Sequence, residues 1–167
     1  IASCLVGSEM CIRDSCLTRT VAMLIRYAIT LLTTLFCSAA LAEVHEVKML
    51  NRGATGAMVY EPDYLAIAPG DTVKFIASHP SHNAASLAGF LPEGAEPFKG
   101  RINQEIEVTF DTPGFYGIQC IPHLAMGMVM LIQVGDHPLS EVQIPAALPT
   151  RARQRFEQIV EQAGSAY

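Results

Sequence analysis

Phe115-Tyr116-Gly117-Ile118-Gln119-Cys120-Ile121-Pro122-His123-Leu124-Ala125-Met126-Gly127-Met128-Val129-Met130-Leu131-Ile132-Gln133-Val134 holds two strand-like runs, Phe115 to Cys120 and Val129 to Val134, joined by a short loop. The first follows a Pro113-Gly114 turn, and both are bounded and apolar as strands are. The joining loop places a thiol, an imidazole and a thioether within nine residues, Cys120 to Met128.

Outward from this pair, short strand patterns continue to dominate. Ile106, Val108 and Phe110 alternate with Glu105, Glu107 and Thr109. Tyr64 to Ala68, the Pro69-Gly70-Asp71 turn and Thr72 to Ala77 form another strand-turn-strand unit. Val44, Glu46, Lys48 and Leu50 lie on one face of an extended segment, and His45, Val47 and Met49 on the other. Apolar residues on both faces predict partial burial on each side. Strands at close intervals with Pro/Gly turns predict a two-sheet β-sandwich over 43–135. After Gly135 the pattern becomes helical. Thr150 can cap a helix carrying Phe156, Ile159 and Val160 at helical spacing, and Pro138 to Leu148 is expected to hold a shorter helix before Pro149.

The N-terminal part reads differently. Met23 opens a segment with Arg26, an apolar core from Ala28 to Phe36, and the small-x-small site Ala40-Leu41-Ala42. That is the pattern of a secretory leader over 23–42, cleaved after Ala42 to give a periplasmic protein. Its core is too short for a comfortable membrane span, so none is expected in the mature form. Cys37 raises a lipoprotein alternative, which the bulky Phe36 disfavours. Residues 1–22 look foreign: Leu5 to Ser15 resembles a translated transposon-end sequencing adapter. Glu9 to Asp14 back-translates readily to GAG ATG TGT ATA AGA GAC, the core of that adapter. The segment is expected to be assembly artefact or upstream read-through, the alternative being a genuine extension. Cys4, Cys11, Cys16 and Cys37 then all lie outside the mature domain at 43–167, leaving Cys120 alone and no internal disulfide. The mature domain carries 14 acidic and 8 basic side chains. A net negative charge excludes a dedicated nucleic-acid binder.

A lone cysteine is ordinarily an inert buried thiol. Cys120 differs because His123 and a methionine share its loop, and a further histidine lies upstream. Two histidines and a cysteine in a trigonal set, with a weak axial methionine, form the ligand pattern of a blue-copper site. Soft sulfur suits Cu(I) and imidazole suits both oxidation states, so such a set needs little rearrangement on electron transfer. The residues themselves leave two choices open. His79 and His82 are equally able to ligate, and Met126, Met128 and Met130 compete for the axial place.

The mature chain resembles the pseudoazurin family of cupredoxins. The resemblance lies in Val47 to Met58 (VKMLNRGATGAM), Glu61-Pro62, Pro69 to Val73, Pro92 to Glu96 and Cys120 to Met128, and it extends over essentially all of 43–167. It implies an all-β Greek-key sandwich of about eight strands with two C-terminal α-helices over 136–167, and one type 1 copper per chain. It selects His82, Cys120, His123 and Met128 as ligands and leaves Met126 and Met130 as packing residues. Asn83 is then placed to support the ligand loop, Met58 to pack near the copper face, and His45 and His137 to be structural or surface groups. The implied function is one-electron carriage, Cu(I)/Cu(II), by a monomer. Transient contacts around His123, through Pro122, Leu124, Ala125 and Met126, would serve redox partners such as copper nitrite reductase. Of the family's basic ring only Arg52, Lys99 and Arg101 are kept, and Gln119 stands where a basic residue is common. A periplasmic copper-binding or chaperone protein is the alternative. A multicopper enzyme is disfavoured, because Ile121, not histidine, follows Cys120 and the chain has five histidines in all.

Overall fold

The computed structural model describes residues 42–165, so the leader, the adapter-like segment and the four N-terminal cysteines lie outside the described residues. Eight strands follow in order: β1 Val44–Gly53, β2 Gly56–Glu61, β3 Tyr64–Ile67, β4 Asp71–Ile76, β5 Ala85–Ser86, β6 Ile106–Phe110, β7 Gly114–Gln119 and β8 Val129–Val134. They form two four-stranded sheets, ordered β2-β1-β4-β6 and β3-β8-β7-β5. β1–β4 and β3–β8 pair in parallel, and the other neighbours are antiparallel. The chain crosses repeatedly between the sheets, as Greek-key sandwiches do. Among the described residues one α-helix, α1 at Thr150–Ser165, completes the sandwich.

β8 explains why its sequence is an unbroken apolar run. Met128, at its entry, and then Met130, Ile132 and Val134 face the sandwich core with Val47, Met49, Val73, Phe75, Tyr116 and Ile118. Val129 and Leu131, on the opposite face, pack beneath Ala152, Phe156 and Ile159 of α1. A strand buried on both faces has no reason to alternate. Gly117 makes the helix side possible: a Cβ there would lie 2.5 Å from Cδ1 of Phe90. Without that Cβ, Phe90 lies on the sheet and meets Phe156 at a centroid distance of 5.1 Å.

Two expectations are corrected. β1 is enclosed mainly on one face: Val47 and Met49 are fully buried, while on the other face Val44, Glu46 and Lys48 are exposed and only Leu50, beside Val59 of β2, is half-buried. Pro138 to Leu148 is not an α-helix but holds a single 3-10 turn, Leu139–Glu141. Pro145 removes a helix donor, and Val142, Ile144 and Leu148 bury their side chains against the α1 cluster from non-helical backbone. Sequence reading also passed over β2 and the two-residue β5.

At the end of the sandwich where β1 and β4 begin, Asp71 is nearly buried. Its carboxylate accepts from Glu43 N–H at 2.8 Å, Ala68 N–H at 2.8 Å and His45 Nε2 at 3.3 Å. The Glu43 bond above all, helped by Ala68 and His45 against the cost of burial, holds its pKa below the usual 3.8. A carboxylate depressed by folding stabilises above its unfolded pKa and loses that contribution as pH falls through the folded value. Asp71→Asn is therefore expected to cost about 2 kcal/mol at neutral pH, and to converge with the parent below pH 3.8. Thermal melts across that range check it.

Candidate metal centre

At the opposite end, β7 delivers Cys120. Tyr116, Ile118 and Cys120 follow the two-residue period of the strand, so the thiol falls on the core face and is fully buried. The chain then turns through a 3-10 segment, Ile121–Met126, with Pro122 in its first turn. Gly127, at φ 89°, ends the turn in the left-handed region, and its open α-carbon sits against the Arg151 carbonyl at the start of α1. Met128 returns to the strand with two backbone bonds. Cys120 N–H donates to its carbonyl at 3.1 Å, and its own N–H donates to His123 O at 3.2 Å. The loop is thus closed on itself by main-chain bonds, which fix where His123 and Met128 begin.

His82 arrives from the β4–β5 connection and is fully buried. Its Nδ1 lies 3.1 Å from His123 Nδ1 and 3.8 Å from Cys120 Sγ, and the third side, Cys120 Sγ to His123 Nδ1, is 3.4 Å. Among the described residues these three are the group of histidine, cysteine and acidic side chains close enough to hold a metal ion. His82 Nε2 is 2.7 Å from Asn51 Oδ1. An amide oxygen only accepts, so Nε2 carries the proton and Nδ1 presents a bare lone pair to the centre. Burial, then His123 and His79, push the His82 pKa below its usual range and keep the ring neutral. Burial pushes the Cys120 thiol up, against N–H bonds from Asn83 and His123 to the sulfur. Thiolate there needs a cation for company.

This arrangement fits a metal. Lone-pair donors packed 3.1 to 3.8 Å apart repel one another unless a cation sits among them. A point equidistant from the three atoms lies about 2 Å from each, the range of metal–nitrogen and metal–sulfur bonds. Two imidazoles and one soft sulfur match the trigonal set that favours copper.

The neighbours explain how the loops are held. Asn83 is buried; its Oδ1 accepts from Ile121 N–H at 2.9 Å and its Nδ2 donates to Gly100 O at 3.0 Å. Tyr60 Oη donates to the Asn83 carbonyl at 2.7 Å. Asn83 therefore ties the His82 loop to the Cys120 loop, the supporting place expected for it. His79 is absent from the donor cluster: its Nδ1 accepts from Asn51 N–H at 3.0 Å, which positions the asparagine that holds His82. Asn51 carried no signal in the sequence that could have found it.

Among the methionines, Met130 is buried in the core beside Ile118, but Met126 is 45% exposed. Met126 is therefore a surface residue rather than a packing one. Met58 is half-buried against the core that contains Cys120 and Met128. His45 pairs with Asp71, and His137 with Glu141 at 3.5 Å. Arg52, Lys99 and Arg101 are all exposed, whereas Gln119 is half-buried and its amide donates to Ser86 O at 3.1 Å.

Residues 47–135 match the family of copper binding proteins described as the plastocyanin/azurin family. The chain is similar to a putative pseudoazurin of Rhizobium leguminosarum bv. viciae, 49% identical over 74% of this chain and 83% of the relative. It is also similar to the pseudoazurin of Paracoccus pantotrophus, 45% identical over 70% and 81%. Among solved structures, a Sinorhizobium pseudoazurin aligns with a TM-score of 0.70 and 41% identity, over 75% of this chain and 99% of that one.

Proposed function

The chain belongs to the plastocyanin/azurin family of copper-binding proteins, with the pseudoazurins, and we propose that it carries electrons in the periplasm on one copper ion held by His82, Cys120, His123 and Met128. It is an electron-transfer protein rather than an enzyme. The convergence of three lone pairs on one buried point, with His82 locked in the required tautomer, carries the ligand assignment.

Copper supplies a one-electron couple, Cu(I)/Cu(II), and a His₂Cys set with a weak axial thioether suits both states. The protein's own part is to hold the donors in place. Asn51 and Asn83 fix His82 and the Cys120 loop from outside the donor set, and supporting bonds of this kind orient ligands. The sealed core around Cys120 and Met128 keeps water from the sulfurs. His123 is half-buried and is the donor that reaches the surface.

Around it, Ile121, Met126 and Ile102 are 44%, 45% and 56% exposed. Among the described residues, three of the four exposed large hydrophobic residues thus gather at this end of the sandwich. They offer a small apolar contact patch, suited to partners that must separate after each transfer. Lys99 and Arg101 flank a cavity lined by Ile102, Ile121 and Pro122. With Arg52 they would favour an acidic partner, and copper nitrite reductase is proposed as one. Because Gln119 adds no charge, the long-range attraction is expected to be modest and to weaken with salt.

The leader at 23–42 is proposed to direct export and to be cut after Ala42, with 1–22 not part of the native product. No helix among the described residues is long and apolar enough to cross a membrane. The closed donor set disfavours the chaperone alternative, since His82 and Cys120 are both wholly enclosed and offer no open route for handing metal on.

Absorption and paramagnetic-resonance spectra of the copper-loaded protein test the assignment. Intense visible absorption from thiolate-to-copper charge transfer is expected. A colourless copper complex overturns it.

A further inference from the structure

Glu43 is held by its main chain on both sides. Its N–H donates to Asp71 Oδ1 at 2.8 Å, and its carbonyl accepts from Thr72 N–H at 2.9 Å. Ala42, immediately before it, is exposed. Asp71 is only 6% exposed, and its other oxygen is occupied by Ala68 N–H and His45 Nε2. Oδ1 of this carboxylate thus faces one peptide N–H, a neutral donor, at the point where the leader joins the domain.

We infer that cutting the chain after Ala42 creates the group this carboxylate is placed to hold: the Glu43 α-ammonium, ion-paired with Asp71. The inference rests on the leader reading above and adds a structural reason for the position of the cut. Hydrolysis puts the hydroxyl of water on the Ala42 carbonyl carbon and its hydrogen on the Glu43 nitrogen. The nitrogen then takes up the proton shed by the new Ala42 carboxylic acid. A donor already in hydrogen-bonding position thereby gains a full charge without moving. Hydrogen bonds between ionised partners are about twice as strong as neutral ones.

A cut one residue later would remove both main-chain bonds of Glu43. A cut one residue earlier would leave a neutral amide at Asp71. The processed chain is therefore more stable than any form that keeps Ala42, and the gain appears only when the leader has left. The surroundings allow it. Glu43, His45 and Asp71 line an open groove together with Asp136 and His137, which gives the ammonium space and further negative charge. The strand registers put this groove at the far end of the sandwich from Cys120, so copper loading is untouched.

Among the described residues the core runs from Val47 to Ala163, and a chain of residues 43–167 carries all of it. Three copper-loaded forms make the test: Glu43 with a free amine, Glu43 acetylated on its α-nitrogen, and a form that keeps Ala42. The free-amine form is expected to melt about 3–6 °C above both others near neutral pH and low salt. In Asp71→Asn the three are expected to coincide. Should that variant fail to fold, pH supplies the same answer. The advantage is expected to fade as pH rises through the ammonium's range, from about 8 upward. His45, His137 and the carboxylates of Glu43 and Asp136 face the groove in all three forms and cancel in the comparison. Equal melting of the three forms, or a difference that survives Asp71→Asn, overturns the ion pair. The mass of the exported chain is expected to correspond to a start at Glu43; any other start overturns the position of the cut. Identical visible spectra in the three forms separate both outcomes from the copper assignment.

Discussion

Cys120→Ser is expected to abolish the intense visible absorption of the copper-loaded protein and, with it, the reversible one-electron response. The absorption requires a thiolate bonded to copper, and a hydroxyl does not supply that sulfur. Nothing else nearby can substitute, because Cys120 is the only cysteine among the described residues. The remaining donors, His82 and His123, still face each other across 3.1 Å, so weak colourless copper binding is expected to persist. Size is nearly conserved and the site is buried, so the variant should fold. Met128→Gln provides the contrast: colour retained with a shifted potential, because the thioether proposed as a weak donor would tune the site without making the charge-transfer bond. Spectra and voltammetry of the two variants side by side check both. A serine variant as blue as the parent would remove Cys120 from the ligand set.

Phe156→Ala is expected to lower stability by about 3–5 kcal/mol, as large-to-small changes at enclosed aromatic positions do. Phe156 is fully buried between β8 and Phe90, and it joins Leu131, Val129 and Ile159 in the layer between helix and sheet. Truncation removes the ring that fills this layer. Phe90 is already pressed on Gly117 and has no deeper place to go. For a domain of this size the loss corresponds to a fall of about 10–20 °C in melting temperature. Denaturant titration and calorimetry measure it. A change below about 1 kcal/mol would mean that α1 contributes little to holding the sandwich together.

These two residues were legible to different degrees. Cys120, His123 and Met128 share one loop, so residue types and spacing alone suggested a soft-metal site. Helical spacing likewise marked Phe156 and Ile159 for burial, although it also marked Val160, which is half-exposed. His82 was harder. It lies 38 residues from Cys120, and nothing local distinguishes it from His79. Folding separates the two: His82 turns its Nδ1 to Cys120, whereas His79 spends its Nδ1 on Asn51. Pro138–Leu148 misled because its apolar residues suit a helix by composition. Pro145 and the demand to bury Val142, Ile144 and Leu148 against α1 hold the chain out of one.

Strand periodicity, Pro/Gly turns and the Cys120-x-x-His123 loop make the sandwich and the chemistry readable in the sequence, since each depends on neighbours in the chain. The partners of His82, the role of Asn51 and the enclosure of Val47 and Met49 depend on which segments meet. The same is true of the Glu43–Asp71 contact, made across 28 residues. Contacts of that kind follow from sheet packing and register, which pattern along one strand does not encode.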